Sequence, residues 1–383
     1  MPHPRNASDG LALCAKRSLP FSPRRSRTDT PGPSDRWNGG ILENCGGARR
    51  SFRASFARAL SAGEPVPMHT KTKSAVHVGP AGWSYADWDG IVYPGKKGGA
   101  FDRLEYIASY FDLIEINSTF YRTPARSTSR GWTERVASKP NFLFTVKAPR
   151  EITHGRFPAG EKEIAEFKTA IEPILERDLL GAVLVQFPWS FRPSTERMAY
   201  VKTVADHFRP FPTAVEVRHG EWGAPRIAEF FREGGIALCG IDQPLIGNSL
   251  GPDAQVPGPD FAYFRLHGRR SDKWFGKNTS RDERYDYLYD ESELAPWSER
   301  IRHTSLKTPR VFAVLNNHFR GQAVVNALEL RTMLTGEKPR APRSLLARYP
   351  RAKALITSED EPERPRKSGP GDQLGLFEKN DND

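Results

Sequence analysis

The chain is poor in the features that usually fix a protein's class. Only three cysteines occur in 383 residues, Cys14, Cys45 and Cys239, far apart and with no C-x-x-C pair. A disulfide framework and a thiolate zinc site are therefore not expected, and the low usage fits a reducing, cytoplasmic compartment. No run of eighteen apolar residues is present, so no transmembrane helix and no membrane partner are expected. The H-E-x-x-H and H-x-H spacings are missing too, which weighs against a metal site. The segment from Tyr93 to Gly99 is basic and glycine-rich but lacks Walker spacing, and reads as a loop.

Acidic residues are scarce at one end only. The net charge is +11, but residues 1–73 carry 13 Lys and Arg against 5 Asp and Glu. Residues 337–383 carry 10 against 9, and residues 74–336 carry 34 against 32. The central region is nearly neutral, so bulk charge does not argue for direct nucleic-acid binding there. The first 73 residues show no sustained apolar period and contain the clusters Arg24-Arg25-Ser26-Arg27 and Arg49-Arg50. Such a composition cannot offset its ordering entropy and predicts a disordered extension, either transit-like or preceding a true start at Met68. From Glu337 onward, Pro339, Pro342, Pro350 and the charge run Glu359 to Lys367 predict a flexible tail.

Between these ends, short β-branched runs alternate with helical patterns. The runs are Val76–Gly79, Leu113–Asn117, Phe142–Lys147, Ala182–Gln186, Thr213–Val217, Ile236–Ile241, Phe261–Leu266 and Val311–Leu315. Near-continuous apolar runs of this length suit strands buried on both faces of a parallel sheet. Helices are expected over Phe101–Tyr110, Ser127–Ala137, Glu161–Glu176, Ser194–Phe208, Arg226–Glu233, Glu283–Arg302 and Gly321–Leu334. Eight strands with helical crossovers predict one α/β domain over 74–336, a (β/α)8 TIM-barrel-like fold. A doubly wound open sheet is the rival, but the glycine fingerprint after its first strand is missing.

In such a barrel the site forms at the carboxyl ends of the strands. Those ends are polar here: Trp83 after the first; Glu115, Asn117 and then Tyr121; Lys147; Gln186; Glu216 and Arg218; Asp242; Arg265, His267 and Arg269; Asn316 and Asn317. Alternate positions share a face, so Glu115 with Asn117, Glu216 with Arg218 and Arg265 with His267 should converge. Cations outnumber carboxylates in this set, which predicts a small anionic ligand, phosphate- or nucleotide-like. The turns after the seventh and eighth strands, where barrels often hold phosphate, are the expected place for it. Glu115 or Glu216 is expected as general base, with Lys147 or His267 as acid or electrostatic stabiliser. A divalent metal on Glu115, Glu216, Asp242 and His267 is the alternative. The nature of any cofactor is left open. His154, His219 and His318 read as loop or capping histidines.

These segments together resemble a known family. Gly82-Trp83-Ser84-Tyr85 with Trp88, Glu115-Ile116-Asn117-Ser118-Thr119-Phe120-Tyr121 and Phe144-Thr145-Val146-Lys147-Ala148-Pro149 are similar to the YecE-like family, domain of unknown function 72. So are Gln186-Phe187-Pro188, Glu216-Val217-Arg218-His219 with Trp222, Arg265-Leu266-His267-Gly268-Arg269, and Asn316-Asn317 followed by Gly321, Ala323, Asn326 and Ala327. Val217, Gly220 and Glu221 depart from the usual Phe, Pro and Ser. The resemblance spans about residues 76–334 and implies a barrel-like fold. It implies no activity.

A second resemblance lies in the tail. Gln373-Leu374-Gly375-Leu376-Phe377 is similar to the pentapeptide by which bacterial proteins bind the replicative sliding clamp. A glutamine to hydrogen-bond and three apolar anchors, Leu374, Leu376 and Phe377, on a charged segment form a plausible short docking motif. The alternatives are an enzyme recruited to replication sites and a non-catalytic barrel tethered there. Purified sliding clamp should bind the full chain and lose that binding when residues 370–383 are removed; equal binding by both forms, or by neither, would exclude the motif.

Overall fold

Apolar strands that are to be covered on both faces must have helices on each side, and the observed order of elements follows from that. The computed structural model describes residues 75–95, 101–155, 160–274 and 281–355. The N-terminal extension, part of the Tyr93–Gly99 loop and the tail motif Gln373, Leu374, Leu376 and Phe377 lie outside the described residues. The strands are β1 (Ala75–Pro80), β2 (Leu113–Ile116), β3 (Leu143–Lys147), β4 (Leu180–Gln186), β5 (Thr213–Glu216), β6 (Ala237–Leu238), β7 (Gly240–Asp242), β8 (Phe261–Leu266) and β9 (Arg310–Leu315). All their pairings are parallel. One sheet runs β2-β3-β4-β5-β6, the other β1-β9-β8-β7.

The two sheets meet at two places. Cys239 alone separates β6 from β7, and its N–H donates to the Val215 carbonyl at 2.9 Å. Ile236–Ile241, which reads as one run in the sequence, thus pairs first with β5 and then with β8. At the other place Ala81 bridges Glu115 in parallel, and the Gly82 N–H donates to the Glu115 carbonyl at 2.8 Å.

The principal helices are α1 (Arg103–Ile107), α2 (Arg126–Arg135), α3 (Glu161–Glu176), α4 (Thr195–Phe208), α5 (Pro225–Glu233), α6 (Glu291–Ser305), α7 (Gln322–Thr335) and α8 (Arg343–Arg348). Their starts follow local chemistry. The Ser194 hydroxyl accepts from the Arg197 N–H ahead of α4, and Pro225 opens α5 with its fixed φ. Asp290 and Glu293 form a reciprocal capping box, which is why α6 begins at Glu291 and not at Glu283 as expected.

The folded region also continues past residue 337, where the sequence predicts a tail. Leu345, Leu346, Tyr349 and Ala352 are buried, and Arg351 pairs with Glu329 of α7 at 2.7 Å. The reason lies in α7, which is buried from Gln322 to Leu330. A helix apolar nearly all round needs cover beyond the sheet, and residues 341–355 supply it.

The seam between β1 and β2 requires a residue without a side chain. A Cβ on Gly79 would lie 1.7 Å from the Leu113 carbonyl oxygen. Backbone against backbone cannot be relieved by a rotamer change. Gly79→Ala should therefore cost at least the ~1–3 kcal/mol typical of overpacking, measured by urea unfolding; a loss below about 0.5 kcal/mol, the scale of a neutral surface change, would contradict this seam.

Candidate active site

Parity along β8 places Tyr263, Arg265 and His267 on one face. Arg265 is the centre of what they build. Its Nη2 donates to Glu115 Oε1 at 2.7 Å, and its Nη1 to Glu216 Oε2 at 2.5 Å and Gln186 Oε1 at 3.0 Å. The guanidinium is 1% exposed and neither carboxylate is exposed at all. The Tyr263 hydroxyl lies 2.8 Å from Glu115 Oε2 and 2.7 Å from Thr145 Oγ1. A phenol has one proton, so it donates to the carboxylate and accepts from the threonine.

Glu216 Oε1 is equally occupied. It accepts from Arg218 Nη2 at 2.9 Å and Nε at 3.1 Å, and stands 3.0 Å from His267 Nε2. His267 Nδ1 is 3.0 Å from Asn316 Nδ2. An imidazole that accepts an amide proton at Nδ1 carries its own proton on Nε2, directed at Glu216. Burial alone would push the Glu216 carboxyl up, but Arg265, His267 and Arg218 together hold it well below the usual range. Burial lowers His267 to about 3, despite the opposing pull of Glu216. Burial likewise raises Tyr263, aided by the Glu115 charge.

Above this layer opens a pocket of about 70 Å³ lined by Tyr85, Asn117, Tyr121, Lys147, Arg265, Tyr285, Asn316 and His318. Lys147 closes β3 and is partly exposed. Its Nζ sits 3.8 Å above the Phe120 ring, and among the described residues no carboxylate lies within ion-pair distance of it. Burial, then Arg265, lower this amine to about 7 against the pull of Glu216 and Glu115. The ring face beneath it favours the ammonium by about 0.5–2 kcal/mol, the smaller effect. Two buried polar atoms of lining residues, Asn117 Oδ1 and Arg265 Nε, have no partner among the described residues. Such atoms cost ~1–3 kcal/mol each unless something binds them.

The structure therefore brings Glu115, Gln186, Glu216, Arg218, Arg265 and His267 into one paired layer. Asn117, Tyr121, Lys147 and Asn316 lie with Arg265 at the pocket. It does not bring the remaining candidates there. Asp242 is held by Arg269 Nε at 3.0 and 3.1 Å, and Arg269 Nη1 reaches Glu293 at 3.1 Å. Asn317 Nδ2 donates to Asn326 Oδ1 and to the Tyr287 carbonyl, both at 2.8 Å. Trp83 packs edge-on against Trp132 at 5.9 Å. In the turn after β8, the Gly268 N–H donates to the Tyr289 hydroxyl at 2.8 Å, so this amide already has a protein acceptor. Among the described residues no three His, Cys, Asp or Glu side chains group as a metal ion would require.

Sequence reasoning passed over Tyr85, Tyr285 and His318 as pocket residues. The His318 ring stacks on Tyr85 at 4.4 Å and 9°, which a loop histidine does not advertise. Tyr263 had a readable signal, being the only hydroxyl two residues before Arg265 in an apolar strand.

Parallel strands covered by helices, with a charge-paired layer at the strand ends, define an α/β protein whose candidate site lies at the carboxyl edge of its sheets. More particularly, the chain belongs to the family described as Protein of unknown function DUF72, which matches residues 77–350. That match reaches into the segment after α7 that packs against the body. The chain is 30% identical over 286 residues to the UPF0759 protein YunF of Bacillus subtilis, covering 70% of this chain and 99% of that protein. It is 26% identical over 172 residues to the UPF0759 protein YecE of Escherichia coli O157:H7, covering 45% and 58%. Among solved structures, a DUF72 family protein from Thermotoga maritima superposes with a TM-score of 0.59 at 33% identity, covering 68% of this chain and 99% of that one. One from Enterococcus faecalis gives 0.59 at 26% identity, covering 68% and 95%.

The layer makes a specific demand on Arg265. Arg265→Met leaves two buried carboxylates without their cation and should cost about 3–5 kcal/mol at pH 7. The wild type should weaken as pH falls from about 6.5 towards 3. Over that range the unfolded chain takes up protons that the lowered His267 and Glu216 sites refuse. In the variant Glu216 should protonate more readily, and the stability gap should narrow in acid. Denaturant unfolding across pH checks both; a gap under about 1 kcal/mol at pH 7, within the range of an exposed ion pair, would contradict the pairing.

Proposed function

We propose that the protein is an enzyme that binds a small anionic substrate, phosphate- or nucleotide-like, at the strand ends and acts on it by acid–base chemistry. The strands are proposed to close as a (β/α)8 barrel. The Val215–Cys239 and Glu115–Gly82 backbone bonds at the two sheet junctions favour closure. The observation that carries the functional reading is the separation of charge. The carboxylates Glu115 and Glu216 are taken by Arg265 and Arg218, whereas Lys147 faces the pocket without one among the described residues. A ligand there meets an ammonium, an arginine and two asparagine amides, and no carboxylate. That favours an anion.

Roles follow from position. Lys147 is the group able to give or accept a proton near neutral pH. Glu115, Glu216 and His267 act through Arg265 and Asn316 as positioning residues, with their own oxygens and nitrogens held in the layer below. Recruitment through Gln373, Leu374, Leu376 and Phe377 to the sliding clamp is a separate proposal, resting on the sequence alone. A non-catalytic barrel holding the same ligand is the competing reading.

The binding half is tested by thermal unfolding with inorganic phosphate, a nucleoside monophosphate and a sugar phosphate. At least one should raise the wild-type midpoint, as a ligand at a hundred times its Kd adds about 2.7 kcal/mol. Lys147→Met should show no such rise while remaining as stable as the wild type or more so at pH 7, since it removes a buried amine. Equal rises in both proteins, or none in the wild type with any of the three, would overturn the reading.

A further inference from the structure

The pocket holds one nucleophile of unusual character. Among the described residues no carboxylate, thiol or aliphatic hydroxyl lines it; the lining consists of tyrosines, asparagines, Arg265, His318 and the amine of Lys147. A lysine meant only to hold a fixed positive charge is normally paired or well hydrated. Lys147 has no carboxylate partner among the described residues and is only partly exposed: its stem rises from the end of β3, its Nζ rests on the Phe120 ring at 3.8 Å, and Thr119 fixes the backbone beneath by donating to the Lys147 carbonyl at 2.6 Å. An amine desolvated over an aromatic face next to a second cation, here Arg265, is the arrangement that activates lysine as a nucleophile. Asn117 and Asn316 stand across the same small pocket, with Asn117 Nδ2 at 3.5 Å from Asn316 Oδ1 and Asn117 Oδ1 unpartnered among the described residues. Their amides suit the hydroxyl of a tetrahedral adduct.

We infer that Lys147 Nζ condenses with the carbonyl carbon of an aldehyde or ketone that also carries an anionic group, holding it on β3 as a covalent imine. This rests on the anion-binding reading of the same pocket and adds the substrate's reactive group. The free amine attacks the carbonyl carbon, a C–N bond forms and the carbonyl π pair moves to oxygen. One proton passes from nitrogen to that oxygen, giving a carbinolamine. A second proton, taken from a solvent hydronium ion, lets the oxygen leave as water, and the nitrogen lone pair forms the C=N bond of an iminium ion. One amine, one carbonyl and one proton become one iminium and one water, with no change of oxidation state.

The experiment uses the intact chain with pyridoxal 5′-phosphate and, in parallel, pyridoxal, each reduced with borohydride and mapped by peptide mass spectrometry. At pH 7 an ordinary lysine is about 0.04% free amine, whereas Lys147, at about 7, is roughly half free. Lys147 should therefore be labelled by pyridoxal 5′-phosphate at least about tenfold faster than the other lysines, and inorganic phosphate should slow that labelling. Labelling spread over surface lysines with Lys147 no faster overturns the imine, even if phosphate raises the thermal midpoint and the anion site stands. Preferential labelling by both aldehydes at equal rates, with no protection by phosphate, supports the imine and removes the anion reading instead. Lys147→Arg should abolish the fast site. The wild-type peptide map decides the question even if that variant fails to fold.

Discussion

Two carboxylates cannot be buried side by side unless a cation is delivered between them, and Arg265 is that cation. Each charge taken from water carries a penalty of several kcal/mol, repaid only by near-ideal geometry and full hydrogen bonding. Here both terminal guanidinium nitrogens, Nη1 and Nη2, and all four carboxylate oxygens have partners, and only Arg265 Nε has none among the described residues. The pairing joins β2, β5 and β8 across the interior, and β3 is drawn in through Thr145 and Tyr263. It therefore couples the architecture to the site. Strands that slipped by one residue would turn Glu115, Glu216 and Arg265 to the wrong face and strand their charges.

The same constraint shapes the chemistry above it. Because Arg265 and Arg218 occupy the acids, neither acid is available to hold Lys147 as an ammonium by direct contact. Glu216 fixes the His267 tautomer, which in turn orients Asn316 at the pocket rim. The layer thus underlies the pocket, and in the proposed function the reactive surface is Lys147 with its amide and phenol neighbours. Asp242, Arg269 and Glu293 form a second polar cluster tied to the start of α6, where Glu293 also serves the capping box. Arg269 bridges both of its carboxylates, and the cluster reads as a structural support.

Much of this was legible in the sequence, for identifiable reasons. Strands buried on both faces leave runs such as Phe261–Leu266 and Val311–Leu315 that turns bound clearly, and α3 follows its apolar period from Glu161 to Glu176. The polar strand ends and their parity marked the right residues for the layer. Which of them pair was not legible. Arg265 meets Glu115 across 150 residues and Glu216 across 49, and a charge does not announce its partner. Glu115 and Glu216 lie paired in the buried layer, and Lys147 lines the pocket. Residues 341–355 were hidden differently. Their arginines and prolines mask the apolar positions Leu345, Leu346 and Tyr349, whose burial makes sense only once α7 is known to need cover.

The central claim is that pairing below leaves above it an amine with no carboxylate partner among the described residues, roughly half of it free at pH 7. It is tested most directly by titrating the Lys147 side chain by NMR in the intact protein, with the signal assigned through Lys147→Arg. A midpoint near 7 is what the arrangement predicts; a midpoint near the ordinary lysine value of about 10.4 would mean that Lys147 is a solvated ammonium, and the account of the pocket would fail.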